Sequence, residues 1–227
     1  AEGILKKIEN LTDYNYLIRI SKWSDYKGQL PAAIRYMEKA MNIAESRNSL
    51  SLKIWTYANI ADYYGHNGNI KAAYTHYLKT LELHPDNAYA KKGIAWILYS
   101  KEHNISEANR ILDILMATHR VPEDYLFKAQ LARYQDKTIE ADRYLKQFFT
   151  LVENPLYGPM YNTHKIKAWI ISDPEKALAL AEKEINNRAT PETYHLLALA
   201  QLATNQKELA LTTIENFVNG KISEPMA

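Results

Sequence analysis

The chain has 227 residues, 47% of them hydrophobic and 24% charged, which is enough apolar material for a sizeable core and far from the make-up of a disordered segment. Its 28 lysines and arginines nearly balance 26 aspartates and glutamates, leaving a formal net charge of +2, too weak a field for the counterion release that drives nucleic-acid binding. There is no cysteine, which excludes disulfides, thiolate zinc sites and thiol catalysis, and no apolar run approaches the roughly 18 to 20 residues of a membrane span.

The opening stretch AEGILKKIENLTD contains no signal-peptide apolar region, so the compartment stays open between the cytoplasm and an exported chain that has lost its leader. From there onward apolar residues recur at helical spacing between short turns, and strand-like alternation is nowhere sustained. First helices of successive pairs are predicted over 14–26, 51–66, 88–101, 123–134, 161–171 and 191–203; second helices over 31–46, 70–83, 105–118, 138–150, 174–186 and 207–218. Pro31, Pro122, Pro174 and Pro191 each open a helix, where a missing N–H and a fixed φ cost nothing. Asp173-Pro174-Glu175 and Thr190-Pro191-Glu192 add a capping side chain and a first-turn acid. Gly28, Gly68 and the polar stretch around Asp136 read as turns within pairs. Two irregularities stand out: a loop ESRNSLS at 45–51, and ENPLYGPMYN at 153–162, whose prolines and glycine break the helix into an elbow onto which Tyr157 and Tyr161 are expected to pack. No polar capping helix follows Phe217, which leaves open whether the array ends at Ala227.

The small residues Ala33, Ala73, Ala108, Ala141, Ala177 and Ala210 follow one another at intervals of 40, 35, 33, 36 and 33 residues, the signature of a repeat array in which every second helix packs closely on its partner. The segment YANIADYYGHNGNIKAAYTHYLKTLELHPDN resembles the tetratricopeptide repeat, with its pattern W-x₂-L-G-x₂-Y…A-x₃-F…P over about 34 residues. Tyr57, Ile60, Ala61 and Tyr64 match its first helix, Gly68 the turn, Ala73 and Tyr77 the second helix and Pro85 the closing proline, while Thr80 replaces the usual alanine. The last unit matches through Tyr194, Leu197, Ala198, Ala210 and Ile214, the first through Leu17, Ile20, Gly28, Ala33 and Ala40; between Ala108 and Ala177 the turn glycine is missing. The resemblance implies an all-α, right-handed superhelical solenoid of about six antiparallel helix pairs. Its repeats are placed at 13–50, 51–87, 88–121, 122–152, 153–189 (degenerate, with the elbow) and 190–220. It also implies a non-enzymatic scaffold that holds a protein or peptide.

With Tyr57, Ile60, Ala61 and Tyr64 facing the core, the other first-helix stripe faces a ligand. That stripe reads Asn15, Ile18, Lys22 and Tyr26, then Trp55, Ala58, Asp62 and His66, then Tyr89, Lys92, Trp96 and Tyr99, with Gln130 and Arg133 in the fourth repeat. The partner-binding set expected from it is Lys22, Tyr26, Trp55, Asp62, Tyr89, Lys92, Trp96, Tyr99 and Arg133, a mildly basic aromatic trough suited to a peptide. Against this stands the reading in which the same rings simply fill core. A C-terminal carboxylate clamp of the kind some tetratricopeptide proteins carry is not expected, since only Lys22 and Asn59 survive among Ile18, Lys22, Asn59, Tyr89 and Gly93.

No two of the seven histidines fall three or four apart; Asp62 with His66 and Glu192 with His195 offer two donors each, too few for a metal. Nucleophile motifs, phosphate-cradling loops and the HExxH pattern are absent, so neither catalysis nor a cofactor is expected. Asn10-Leu11-Thr12 and Asn104-Ile105-Ser106 fit a glycosylation acceptor, a triplet common by chance. The expected partner is a protein or peptide, with no nucleic acid and no membrane insertion; oligomeric state is left open. The alternatives are a peptide or small-molecule sensor that closes at the elbow, and an RNA-reading repeat, against which Asp62 and the near-neutral charge argue.

Overall fold

The computed structural model describes residues 2–221, all of whose regular elements are helical; the question of an end cap near Ala227 falls outside them. In chain order the helices are α1 (Glu2–Lys7), α2 (Tyr14–Tyr26), α3 (Leu30–Ser46), α4 (Leu50–His66), α5 (Ile70–Leu83), α6 (Ala88–Ser100) and α7 (Ile105–Thr118). They continue as α8 (Pro122–Tyr134), α9 (Thr138–Val152), a 3₁₀ turn (Pro155–Tyr157), α10 (Asn162–Ser172), α11 (Pro174–Asn187), α12 (Pro191–Ala203) and α13 (Lys207–Phe217). The chain forms two compact units, the first ending at Leu115 and the second beginning at Met116, inside α7.

Local chemistry accounts for where these helices start. Asp13, Asn69, Asn87, Asn104 and Asp173 each accept a hydrogen bond from the backbone N–H three residues on, and Thr190 with Thr193 forms a capping box. Four of the six turns inside pairs share one geometry. After α2, Gly28 N–H donates to Asp25 O and Gln29 N–H to Ser24 O; the same two bonds recur at Gly68 and Asn69, at Asp136 and Lys137, and at Asn205 and Gln206. This double bond pattern closes a helix when the first of the two residues is left-handed. Gly28 (φ 71°) and Gly68 (φ 77°) adopt that conformation without strain, and Asp136 (φ 58°) and Asn205 (φ 63°) adopt it as the short polar residues that tolerate it best. The turn thus persists in two of the units that lack a glycine.

One expectation is corrected at 45–51. Only residues 47–49 separate α3 from α4, because both helices run to 17 residues against 13 and 14 for α2 and α5. Asn48 (φ 46°) closes α3 with the same pair of bonds, Asn48 N–H to Glu45 O and Ser49 N–H to Ala44 O, so the extra length is helix rather than loop.

In the first unit α2 packs on α3, α3 on α4, α4 on α5 and α5 on α6, and the first helices α4 and α6 also touch. Ala33, Ala73 and Ala108 are buried there, as are Ala141, Ala177 and Ala210 in the second unit. Twelve or thirteen residues before five of the six stands a second buried small residue, Ser21, Ala61, Ala95, Ala129 or Ala198. Small side chains on both partners let two helix backbones approach closely. Gly65 of α4 shows how near they come, since a Cβ built on it would lie 3.8 Å from Ala73 Cβ. In the first pair Ser21 Oγ donates to Ala33 O at 2.7 Å, so a polar residue at the crossing is satisfied across it. Thr80, in place of the usual alanine, is buried and returns its hydroxyl to His76 O at 2.9 Å.

Tyr57, Ile60 and Ala61 are buried as expected and Tyr64, half-buried, packs against the same core, while Tyr63, outside the expected set, is buried as well. Tyr57 and Tyr64 also tie α4 to α3, donating to Glu45 Oε1 at 2.7 Å and Glu38 Oε1 at 2.8 Å. Burial, reinforced by those carboxylates, pushes both phenols up to about 12, so they remain donors at any physiological pH.

In the second unit α8 packs on α9, α10 on α11, α11 on α12 and α12 on α13, with α10 and α12 also in contact. The elbow is structured. Tyr161 is buried edge-on against Tyr157 and Phe148, with ring centroids 5.0 and 6.4 Å away, and its hydroxyl donates to Glu123 Oε2 of α8 at 3.1 Å.

Candidate binding face of the first unit

Helices α4 and α6 stand side by side, and their N-terminal halves border a shallow, open cleft of about 560 Å³ lined by Ser51, Ile54, Trp55, Ala58, Asn59, Asn87 and Tyr89. Positions 51, 54, 55, 58 and 59 follow the three- and four-residue steps of one face of α4. Asn87 and Tyr89 come from the start of α6, where the Asn87 side chain caps the helix through Ala90 N–H at 2.9 Å. The walls are the two rings: Trp55 is 38% exposed and Tyr89 53%. Trp96, farther along α6, is 42% exposed and meets Tyr99 edge-on at 5.5 Å. Trp55, Tyr89 and Trp96 are thus partly exposed, and Tyr99 is half-buried.

Asp62, read from the sequence as a face for partners, serves the scaffold. Its Oδ1 accepts from the Tyr77 hydroxyl of α5 and its Oδ2 from the Tyr89 hydroxyl of α6, so one carboxylate joins three helices. Tyr77 is buried, and its phenol is held far above its ordinary range by burial first and the Asp62 charge second. Its ring passes directly over the backbone of α6 at Gly93, where no side chain would fit.

The other expected residues distribute as follows. Lys22 is exposed on α2 with Nζ 5.3 Å from the Tyr63 ring centroid, and Tyr26 stacks on Trp23 at 5.4 Å near the end of the same helix. Lys92 lies one turn beyond Tyr89 on α6, half-buried. Arg133 is half-buried on α8, in the second unit. The structure therefore brings together Trp55 with Tyr89, Asp62 with Tyr89, and Trp96 with Tyr99. Ser51, Ile54, Asn59 and Asn87 complete the cleft. Ser51 and Asn59 were legible as the positions four before and four after Trp55; Asn59 donates to Trp55 O at 2.8 Å, and its amide orientation is set by that bond.

Among the described residues no helix is long and apolar enough to cross a membrane. No family model matches the chain, and no curated protein matches its sequence. Among solved structures the chain is similar to a tetratricopeptide repeat protein from Parabacteroides merdae, at 19% sequence identity and a TM-score of 0.52, over 89% of this chain and 91% of that one. Consecutive antiparallel helix pairs, buried alanines at the crossings and this likeness together make the fold an all-α helical repeat of the tetratricopeptide type.

Proposed function

We propose that the chain is a non-enzymatic scaffold or adaptor that holds a protein or peptide on the first-helix face of its first unit, with the Trp55–Tyr89 cleft as the anchor point. The observation that carries this is the pair of half-exposed rings set across a 560 Å³ cleft whose other walls are small or neutral. Aromatic rings lose few rotamers on binding and contribute large contact area, the profile of binding hot spots. Trp96, Tyr99 and Lys92 extend the face along α6. The sensor alternative rests on an elbow that closes, and the elbow's buried Tyr161 and its bond to Glu123 favour the scaffold instead.

A displayed peptide library panned against the purified protein is expected to yield binders. Trp55→Ala weakens them by at least about tenfold, the loss typical of a hot-spot ring. Trp96→Ala and Lys92→Glu each weaken them by about threefold, as contacts at the rim do. Thermal midpoints of all three variants stay near that of the parent. Unchanged affinity in Trp55→Ala with unchanged stability would discard the anchor.

A further inference from the structure

Two asparagines line the cleft, one on α4 and one capping α6, and each has one half of its amide committed to a backbone. Asn59 Nδ2 donates to the Trp55 carbonyl at 2.8 Å, which leaves Oδ1 as an acceptor. Asn87 Oδ1 accepts from Ala90 N–H at 2.9 Å, which leaves Nδ2 as a donor. These backbone bonds decide the orientation of two amides that could otherwise be turned either way. The cleft therefore offers one acceptor from α4 and one donor from the start of α6. Among the described residues, none of those that line it is charged. An ion entering the cleft gives up hydration and meets no opposite charge in its lining.

We infer that the cleft is a recognition site for a side-chain carboxamide, a glutamine or asparagine of the bound peptide, which gives an N–H to Asn59 Oδ1 and takes one from Asn87 Nδ2. This rests on the peptide-holding reading above and adds the chemistry of the residue that is held. A carboxylate only accepts, so it can use Asn87 alone; an ammonium only donates, so it can use Asn59 alone. A thioether chain of similar length serves neither amide, and both lose water that it does not replace. A carboxamide sets a donor and an acceptor on two neighbouring atoms and brings no charge to desolvate. The methylene stem of glutamine supplies the apolar contact for the Trp55 ring, 38% exposed in the same lining.

The test pans a displayed library of random peptides, about twelve residues long, on the full chain, a length sufficient to cross the face of one helix pair. Binders are expected to share one position at which glutamine or asparagine stands about fivefold above the unselected library. In a fluorescein-labelled copy of the leading binder, replacing that residue by Glu, Lys or Met lowers affinity about tenfold each, read by fluorescence anisotropy. Asn87→Asp keeps the cap oxygen of α6 while turning the amide donor into a charged acceptor. On that variant the Lys peptide is expected to overtake the carboxamide peptide, with the thermal midpoint near that of the parent. Asn59→Leu, which removes the acceptor, brings the carboxamide and Met peptides to within about twofold. Binders that share no carboxamide position, a carboxamide peptide matched by its Glu and Met versions, or an order that Asn87→Asp leaves untouched overturns the carboxamide site while the peptide-holding reading stands. A library that yields no binder removes both.

Discussion

Gly93→Ala is expected to destabilise the first unit by about 2 kcal/mol, lowering its thermal midpoint by on the order of 10 °C. Helix propensity alone predicts the opposite sign, because alanine is better than glycine inside a helix by about 1 kcal/mol. The structure reverses it. A Cβ at Gly93 would lie 2.7 and 2.6 Å from Cε1 and Cε2 of Tyr77 and nearer still to Cζ, far inside van der Waals contact. The ring cannot swing aside cheaply, being buried with its hydroxyl on Asp62. Moving it leaves a buried hydroxyl without its acceptor, a loss of about 1–3 kcal/mol, and overpacking costs a similar amount. Circular dichroism melting decides the sign, and Tyr77→Leu, which vacates the ring positions, should recover part of the loss in the double variant. A more stable Gly93→Ala protein would show that Tyr77 does not sit where it is described.

Glu184→Ala should cost the second unit about 2–3 kcal/mol, as removal of one member of a buried hydrogen-bonded charge network does. Glu184 of α11 is fully buried and accepts from Asn162 Nδ2 of α10 at 2.8 Å, from Arg188 Nε at 2.8 Å and from Asn187 Nδ2 at 3.3 Å. Burial by itself would raise its pKa, but these donors outweigh it and hold the carboxyl below its ordinary 4.5. The sign for stability follows. The folded state binds this proton less readily than the unfolded chain, so the contribution is complete above the ordinary carboxylate range and is lost as pH falls through and below it. Arg188 is half-exposed, so solvent screens its share, and most of the loss comes from the buried Asn162 amide left unpaired. Urea unfolding at pH 7 and at pH 4 checks both parts: Glu184→Gln should flatten the fall in stability between them, and an equally steep fall would place the acid sensitivity elsewhere.

The architecture was legible because it rests on strong, local signals. Prolines and capping residues mark helix starts, and the alanine spacing reports a demand for close packing that no unrelated set of helices would share. What the sequence concealed depends on contacts between distant residues. Nothing local distinguishes Tyr63, which is buried, from Tyr64, which reaches out to Glu38; adjacent tyrosines on one helix differ by only one step of rotation. Asp62 has the right helical position for a ligand face, and only the arrival of Tyr77 and Tyr89 from two other helices converts it into a strut. Gly93 looks like a departure from a binding pattern, and its reason lies in a ring sixteen residues earlier. The aromatic stripe was readable as a periodicity, but whether it faced a core or an open cleft depended on exposures of 38% and 53% that spacing does not encode.

The central claim is that a partner peptide seats between Trp55 and Tyr89. The chain has four tryptophans, Trp23, Trp55, Trp96 and Trp169, so biosynthetic labelling with 5-fluorotryptophan yields four ¹⁹F resonances assignable by single replacement. On titration with a peptide selected by the intact protein, the Trp55 resonance is predicted to shift most, Trp96 less, and Trp169 not at all. A titration that moves Trp169 or Trp23 while Trp55 stays in place would contradict the account.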